Sequence, residues 1–309
     1  MPRKDAPLIV GPRVPQPFPY QGSKRRLAAR ILRFVPRDCR RLVEPFAGSA
    51  AVSLAAAARC TTLRFHLADH DAALVALWEE ILHRPEQLAD AYGRMWQAQQ
   101  GRERSYYEQV RAQFNRTRRP SDLLYLLARC TKAAVRYNRR GEFNNSADHR
   151  RCGVHPQRMR RNLYRTAQLL RQRTTVALQS YQATLAAGRR DDVLYLDPPY
   201  QGVSTPRDPR YRAVVHHAEL ADALAELNRR RIAFLLSYDG ATGDKRHGQA
   251  LPESLRLVRL ELPAGRSAQA TLLGRTAATV ESLYLSPELV RRLQRSGPLV
   301  GEAAGGGSA

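Results

Sequence analysis

The stretch from Arg41 to Asp69 constrains the fold more than any other part of the chain. Arg41-Leu42-Val43-Glu44 is a short apolar strand that runs into Pro45-Phe46-Ala47-Gly48, and an alanine-rich helix is expected from about Ser49 to Arg59. Thr62 to Ala68 reads as a second strand, closed by Asp69. Strand, glycine turn, helix, strand and terminal acid form one βαβ unit, the start of a Rossmann-like parallel sheet. The glycine turn lets backbone approach a nucleoside, and an acid ending the next strand can bond ribose hydroxyls. The turn is not G-x-G-x-x-G, so pyrophosphate is disfavoured. A bulky Phe46 suits packing against an adenosyl group.

After that unit the pattern turns helical from about Ala72 to Arg136, with apolar positions three and four apart. Another helix is expected over Gln157 to Gln172. Strands return at Thr175 to Leu178 and Val193 to Leu196, followed by a helix (Ala218 to Arg229, opened by His216-His217) and the strand Ile232 to Leu236. Asp239-Gly240 and Asp244 read as a turn after Ser237, and Leu255 to Leu262 with Thr279 to Leu285 as a terminal antiparallel pair. Trp78 and Trp96 are expected in helix packing. The expected architecture is a discontinuous α/β domain over 15–75 and 185–290, a helical basic insertion over 76–184, and flexible tails at 1–14 and 298–309.

Two further segments carry chemistry. Asp197-Pro198-Pro199-Tyr200 follows a strand directly; its prolines fix φ and remove two N–H donors, which stiffens the loop between a carboxylate and an aromatic plate. Pro19-Tyr20-Gln21-Gly22-Ser23-Lys24 precedes a helix and could close over a ligand. Composition enters through charge. The formal net charge of +23 points to a polyanionic partner. Between residues 111 and 173 there are seventeen Lys or Arg against three acids, a local excess of fourteen. Tyr137, Asn138, Phe143 and Asn144 are interleaved there, residue types that stack on or read bases. The bias of Arg over Lys is compatible with genome composition; its clustering in one stretch is not explained that way. His149-x-x-Cys152-x-x-His155 has metal-like spacing without a fourth ligand nearby and reads as a polar loop, so no metal is expected. Scattered cysteines, no apolar run of membrane-spanning length and no signal-like N-terminus together predict a cytoplasmic protein without a membrane partner.

Read jointly, Tyr20-Gln21-Gly22-Ser23-Lys24, Leu42-Val43-Glu44-Pro45-Phe46-Ala47-Gly48, Leu67-Ala68-Asp69 and Tyr195-Leu196-Asp197-Pro198-Pro199-Tyr200 resemble, in this order, the motifs of the Dam-type DNA adenine-N6 methyltransferases. Arg136-Tyr137-Asn138-Arg139-Arg140-Gly141-Glu142-Phe143-Asn144 looks like that family's segment leading into a DNA-contacting hairpin, and Arg266-Ser267 with the strand around Glu281 resemble its terminal hairpin. The resemblance implies a Rossmann-like S-adenosylmethionine-dependent methyltransferase sheet with an inserted helical target-recognition domain. It implies S-adenosylmethionine as methyl donor and a flipped adenine in double-stranded DNA as acceptor.

Under that reading Asp197, Pro198, Pro199 and Tyr200 are catalytic. Tyr20, Gly22, Lys24, Glu44, Phe46, Gly48 and Asp69 bind the cofactor, with Tyr20 and Lys24 closing over its methionine end. Arg136, Asn138, Arg139, Arg140 and Asn144 are the DNA-contact candidates. The expected protein is a monomer, with a cognate restriction enzyme as a candidate partner. Ser49 and Ala50 stand where the family often has glycines, so backbone there is expected to avoid positive φ. The segment after Asn144 departs from the family pattern, which leaves the target sequence open. An RNA adenine methyltransferase and a catalytically silent DNA-binding protein are the alternatives.

Overall fold

A computed structural model describes residues 14–199, 215–242, 245–247, 249–266 and 278–300. Tyr200, Asp244, Ser267 and most of both expected tails lie outside the described residues. The βαβ unit forms as expected: β1 (Arg41–Glu44), α2 (Ala51–Ala57) and β2 (Arg64–Asp69), preceded by a short helix α1 (Ala28–Ile31). Val52 to Ala57 are all buried, and their small side chains let the crossover helix sit close on the sheet.

Five helices follow: α3 (Ala72–His83), α4 (Pro85–Ala98), α5 (Glu103–Thr117), α6 (Pro120–Arg129) and α7 (Pro156–Leu170). Three of them open on proline, whose missing N–H costs nothing in a first turn. Asp71 caps α3 by accepting from Ala73 N at 2.9 Å. The chain then returns to the sheet as β3 (Thr174–Leu178), α8 (Tyr181–Ala186) and β4 (Asp192–Leu196). Because β3 pairs with β2 in parallel, the sheet resumes at Thr174. Next come α9 (His217–Arg229), β5 (Ala233–Thr242), β6 (Lys245–His247), β7 (Val258–Arg266), β8 (Ala278–Leu285) and a last helix, Pro287–Ser296.

The strand order is β3-β2-β1-β4-β5-β8-β7, with β6 paired to β5. The first five strands are parallel, and β8 runs antiparallel to both β5 and β7. Alternation along the strands divides the core between two faces: Leu42, Val193, Tyr195 and Leu235 join one cluster, and Val43, Leu194, Leu196 and Leu236 the other. Both faces are covered, which is why β4 is buried at every position and is apolar from Val193 to Leu196.

Two expectations change. The turn expected at Asp239-Gly240 is continuous strand: β5 runs on to Thr242, with a register shift against β8 between Ser237 and Gly240 that absorbs the irregularity. Ala50 takes φ +45° as the residue preceding α2, where its N–H donates to Ala47 O at 2.6 Å. Closing that strand-to-helix turn outweighs the left-handed cost of about 1–2 kcal/mol for a residue with a Cβ. Near the C-terminal end of the described residues, Leu299 N donates to Val35 O at 2.6 Å and Pro298 bridges Pro36. Val14 is likewise held, its carbonyl accepting from Arg25.

Candidate active site

In this strand order the connections leaving β1 and β4 diverge, so a crevice opens where the carboxyl ends of these two neighbours meet. A cavity of ≈ 250 Å³ lies there, lined by Tyr20, Gly22 and Lys24 from the N-terminal segment and by Glu44, Phe46 and Gly48 from the turn after β1. Asp69 at the end of β2 and Asp197, Pro198 and Pro199 after β4 complete the wall. Segments more than a hundred residues apart in sequence converge on one space. Tyr200 falls outside the described residues.

The turn after β1 is fixed from several sides. Gly48 has φ +47°, and a Cβ there would come within 3.0 Å of the Tyr20 ring, so glycine lets the backbone pass beneath the aromatic wall. Its N–H donates to Asp69 Oδ2 at 3.2 Å, and its carbonyl accepts from the buried Trp78 indole at 2.9 Å. Trp78, expected in helix packing, therefore also pins this turn from α3. The N-terminal segment is tied down by a 2.7 Å hydrogen bond between the Ser23 and Ser49 hydroxyls. Gln21 N also donates to Ala133 O at 2.9 Å. Phe46 is stacked on Tyr181 from α8, with ring centroids 5.2 Å apart. No motif in the sequence marks Tyr181, because its role comes from a strand crossover that brings β3 beside β2.

Asp69 accepts from Asp71 N at 3.0 Å as well as from Gly48, which orients its carboxylate at the cavity wall. Glu44 is almost fully buried and accepts from Ser53 N at 2.8 Å. Burial pushes its pKa up to about 7 against the opposing pull of Ser53, and the Asp197 charge adds to the rise. Lys24, expected over the methionine end of a cofactor, sits on Asp197: its Nζ is 2.8 Å from Oδ1, and Glu281 Oε2 lies 3.5 Å away. Burial disfavours the Lys24 ammonium, yet the neighbouring Asp197 carboxylate overrides it and raises the pKa well above the usual lysine range. Burial likewise raises that of Asp197, with Lys24 opposing. Tyr195, on the strand leading to Asp197, shares a 2.9 Å hydrogen bond with Ser237.

The DNA-contact candidates lie in a small hairpin in the loop between α6 and α7, closed by a bridge between Tyr137 and Phe143. Arg139, Arg140 and Asn144 are exposed, whereas Arg136 and Asn138 are half-buried. Asn138 shapes the turn: its Oδ1 accepts from the backbone of Arg140 and Glu142, both at 2.9 Å, and its Nδ2 donates to Glu142 at 2.8 Å. Asn115 on α5 holds the hairpin by bonding both backbone groups of Phe143, at 2.7 and 3.1 Å. Tyr137 donates to Asp71 at 2.9 Å, which joins the hairpin to the start of α3, two residues beyond Asp69. His155 uses Nδ1 to accept from Gln157 N at 3.3 Å, so it caps α7. Among the described residues no helix is long and apolar enough to cross a membrane.

The family model described as D12 class N6 adenine-specific DNA methyltransferase matches residues 20–262. The DNA adenine methylase of Escherichia coli strain K12 is 30% identical over 231 residues, 71% of this chain and 78% of that protein. The DNA adenine methylase of Salmonella typhi is 29% identical over 228 residues, with the same shares of each chain, 71% and 78%. The Retron Ec67 DNA adenine methylase of Escherichia coli is 30% identical over 189 residues, covering 59% of this chain and 62% of that protein.

Proposed function

The chain belongs to the D12 class of N6 adenine-specific DNA methyltransferases, and from that premise we propose how its residues divide the work. The observation that carries the proposal is the single cavity at the meeting of the β1 and β4 ends, lined by all three chemistry-bearing segments. The family implies S-adenosylmethionine as methyl donor, and the residues present suit it: a glycine turn that a Cβ would obstruct, an aromatic wall and an acid at the end of the second strand. That donor, when bound, supplies an activated methyl group. Phe46, stacked on Tyr181, offers the adenosyl moiety an apolar face, and Asp69 offers ribose hydroxyls a carboxylate. Tyr20, Gly22, Gly48 and Glu44 line the remainder, and Lys24 lines it beside Asp197, with which it is paired.

Adenine N6 is a poor nucleophile because its lone pair is delocalised into the ring. The Asp197 carboxylate and the Pro198 carbonyl are suited to accept its two hydrogens and to favour a tetrahedral nitrogen, and the carboxylate also offsets positive charge growing on N6. Pro199 stiffens the loop that presents these acceptors, and Tyr200 provides a stacking face. A base reaches such a cleft only by leaving the duplex, so the reaction proceeds by base flipping. The helical segment between β2 and β3 is the target-recognition unit, in which Arg139, Arg140 and Asn144 meet DNA while Arg136 and Asn138 support them. The protein acts in the cytoplasm.

Asp197→Ala tests the assignment. Methyl transfer to duplex DNA should vanish while affinity for S-adenosylmethionine stays within about threefold, since the loss falls on the transition state. Near-normal turnover would refute the role given to Asp197.

A further inference from the structure

The Lys24 ammonium lies between two carboxylates, 2.8 Å from that of Asp197 just after β4 and 3.5 Å from that of Glu281 on β8. Only 10% of the Lys24 side chain is exposed, so these acceptors, with the carbonyl of Gly22 at 3.4 Å, take the place of water. An ammonium on Asp197 works against the reaction. It occupies an oxygen that N6 needs, and it places a cation beside the nitrogen on which positive charge grows. A second carboxylate within reach of the same ammonium removes the conflict.

We propose that Glu281 is a positioning residue for methyl transfer: it takes the Lys24 ammonium when the target base arrives, releasing Asp197 to accept from N6. The inference rests on the reading of Asp197 as the N6 acceptor. Glu281 is brought to the site by the sheet. It stands on β8 between Gly240 of β5 and Leu262 of β7. At Gly240 a Cβ would lie 2.6 Å from Val280 O, so only glycine lets β8 approach at the register shift just described. Lys24, Asp197 and Glu281 thus depend on three distant segments, and no local motif joins them.

The test uses the full chain under single-turnover conditions, with genomic duplex DNA and labelled S-adenosylmethionine both saturating. Glu281→Gln keeps the shape and removes the charge. Its rate should fall about tenfold, while the dissociation constant for S-adenosylmethionine by calorimetry shifts less than about twofold. Among the described residues, the groups facing Asp197 are Lys24 from the N-terminal segment, Glu281 from β8, Glu44 from β1 and the Tyr195 phenol on the strand leading to it. Removing the Glu281 charge takes a negative neighbour from Asp197, so the acid limb of the pH–rate profile should move to lower pH. Glu281→Asp keeps the charge and should recover at least half of the lost factor.

A wild-type rate for Glu281→Gln, or a loss that more S-adenosylmethionine repairs, would overturn the proposal. So would failure of Glu281→Asp to recover any rate, which would mark the loss as one of packing. Asp197→Ala measured in parallel separates the two readings. Activity there removes the acceptor role itself, whereas a dead Asp197→Ala beside a full-rate Glu281→Gln removes Glu281 alone.

Discussion

At the residue scale, Glu44 shows how a motif position can be legible while its state is not. Sequence places an acid at the end of β1, but its burial depends on α2 closing over it, with Ser53 N bonded to the carboxylate at 2.8 Å. Burial moves its pKa from the ordinary 4.5 to about 7. The folded protein then binds this proton more tightly than the unfolded chain does. Below pH 4.5 both states are protonated and the group contributes nothing; as pH rises to about 7 the unfolded state ionises first, and stability falls. Above that window the penalty is constant, on the order of 3 kcal/mol for a shift of this size. Glu44→Gln should therefore match the wild type in acid and exceed it in denaturant stability at pH 8. Parallel stability–pH curves for the two proteins would contradict this. Ala50 teaches the converse lesson: propensity argued against a positive φ there, and the turn geometry imposed one.

At the scale of elements, strands and helices were readable because their periods were clear, and boundaries moved where the signal was tertiary. β3 had a β-rich sequence, yet only its pairing with β2 assigns it to the sheet. The sequence at residues 136–144 reads as a row of DNA-facing side chains, of which Arg136 and Asn138 are half-buried and Arg139, Arg140 and Asn144 exposed. Asn138 closes the turn upon itself, leaving Arg139 and Arg140 at its exposed tip. α5 holds the hairpin through side chains that no motif marks: Asn115 on the Phe143 backbone, Phe114 edge-on to the Phe143 ring, and Arg118, just past the helix end, donating to Gly141 O at 2.6 Å. Asn115→Ala would strand both backbone groups of the buried Phe143, a loss of about 1–3 kcal/mol in local order. Since Asn115 belongs to the scaffold, DNA affinity should fall by roughly tenfold by fluorescence anisotropy, with S-adenosylmethionine affinity unchanged. A parallel loss of cofactor affinity would show that the hairpin and cavity are one cooperative unit. Tyr137 bonded to Asp71 is the contact through which that would happen.

For the whole molecule, the cavity was foreseeable because strand ends in an open α/β sheet converge at one edge, whatever the intervening length. The Lys24–Asp197–Glu281 cluster was not, because it needs the antiparallel β8 inserted between β5 and β7. Charge distribution follows the same division. The fourteen-charge excess over residues 111–173 begins on α5 and ends just before β3, so it belongs to the helices and the hairpin and not to the cavity. Some of it is spent on internal contacts: Arg160 pairs with Asp90, and Arg150 and Arg151 flank Asp148. Arg173 donates to the carbonyls of Ala57 and Cys60 and fastens the end of the segment to the connection between α2 and β2. What remains exposed should set the salt dependence of DNA binding, through release of condensed counterions. Replacing Arg139 and Arg140 together by alanine should reduce the slope of log affinity against log salt by about 2 if both meet phosphate. If they read bases, affinity for the preferred sequence should fall with the slope nearly intact, and discrimination between sequences should relax. A slope and a sequence preference both unchanged would move the DNA path off the hairpin and onto the exposed arginines of α7.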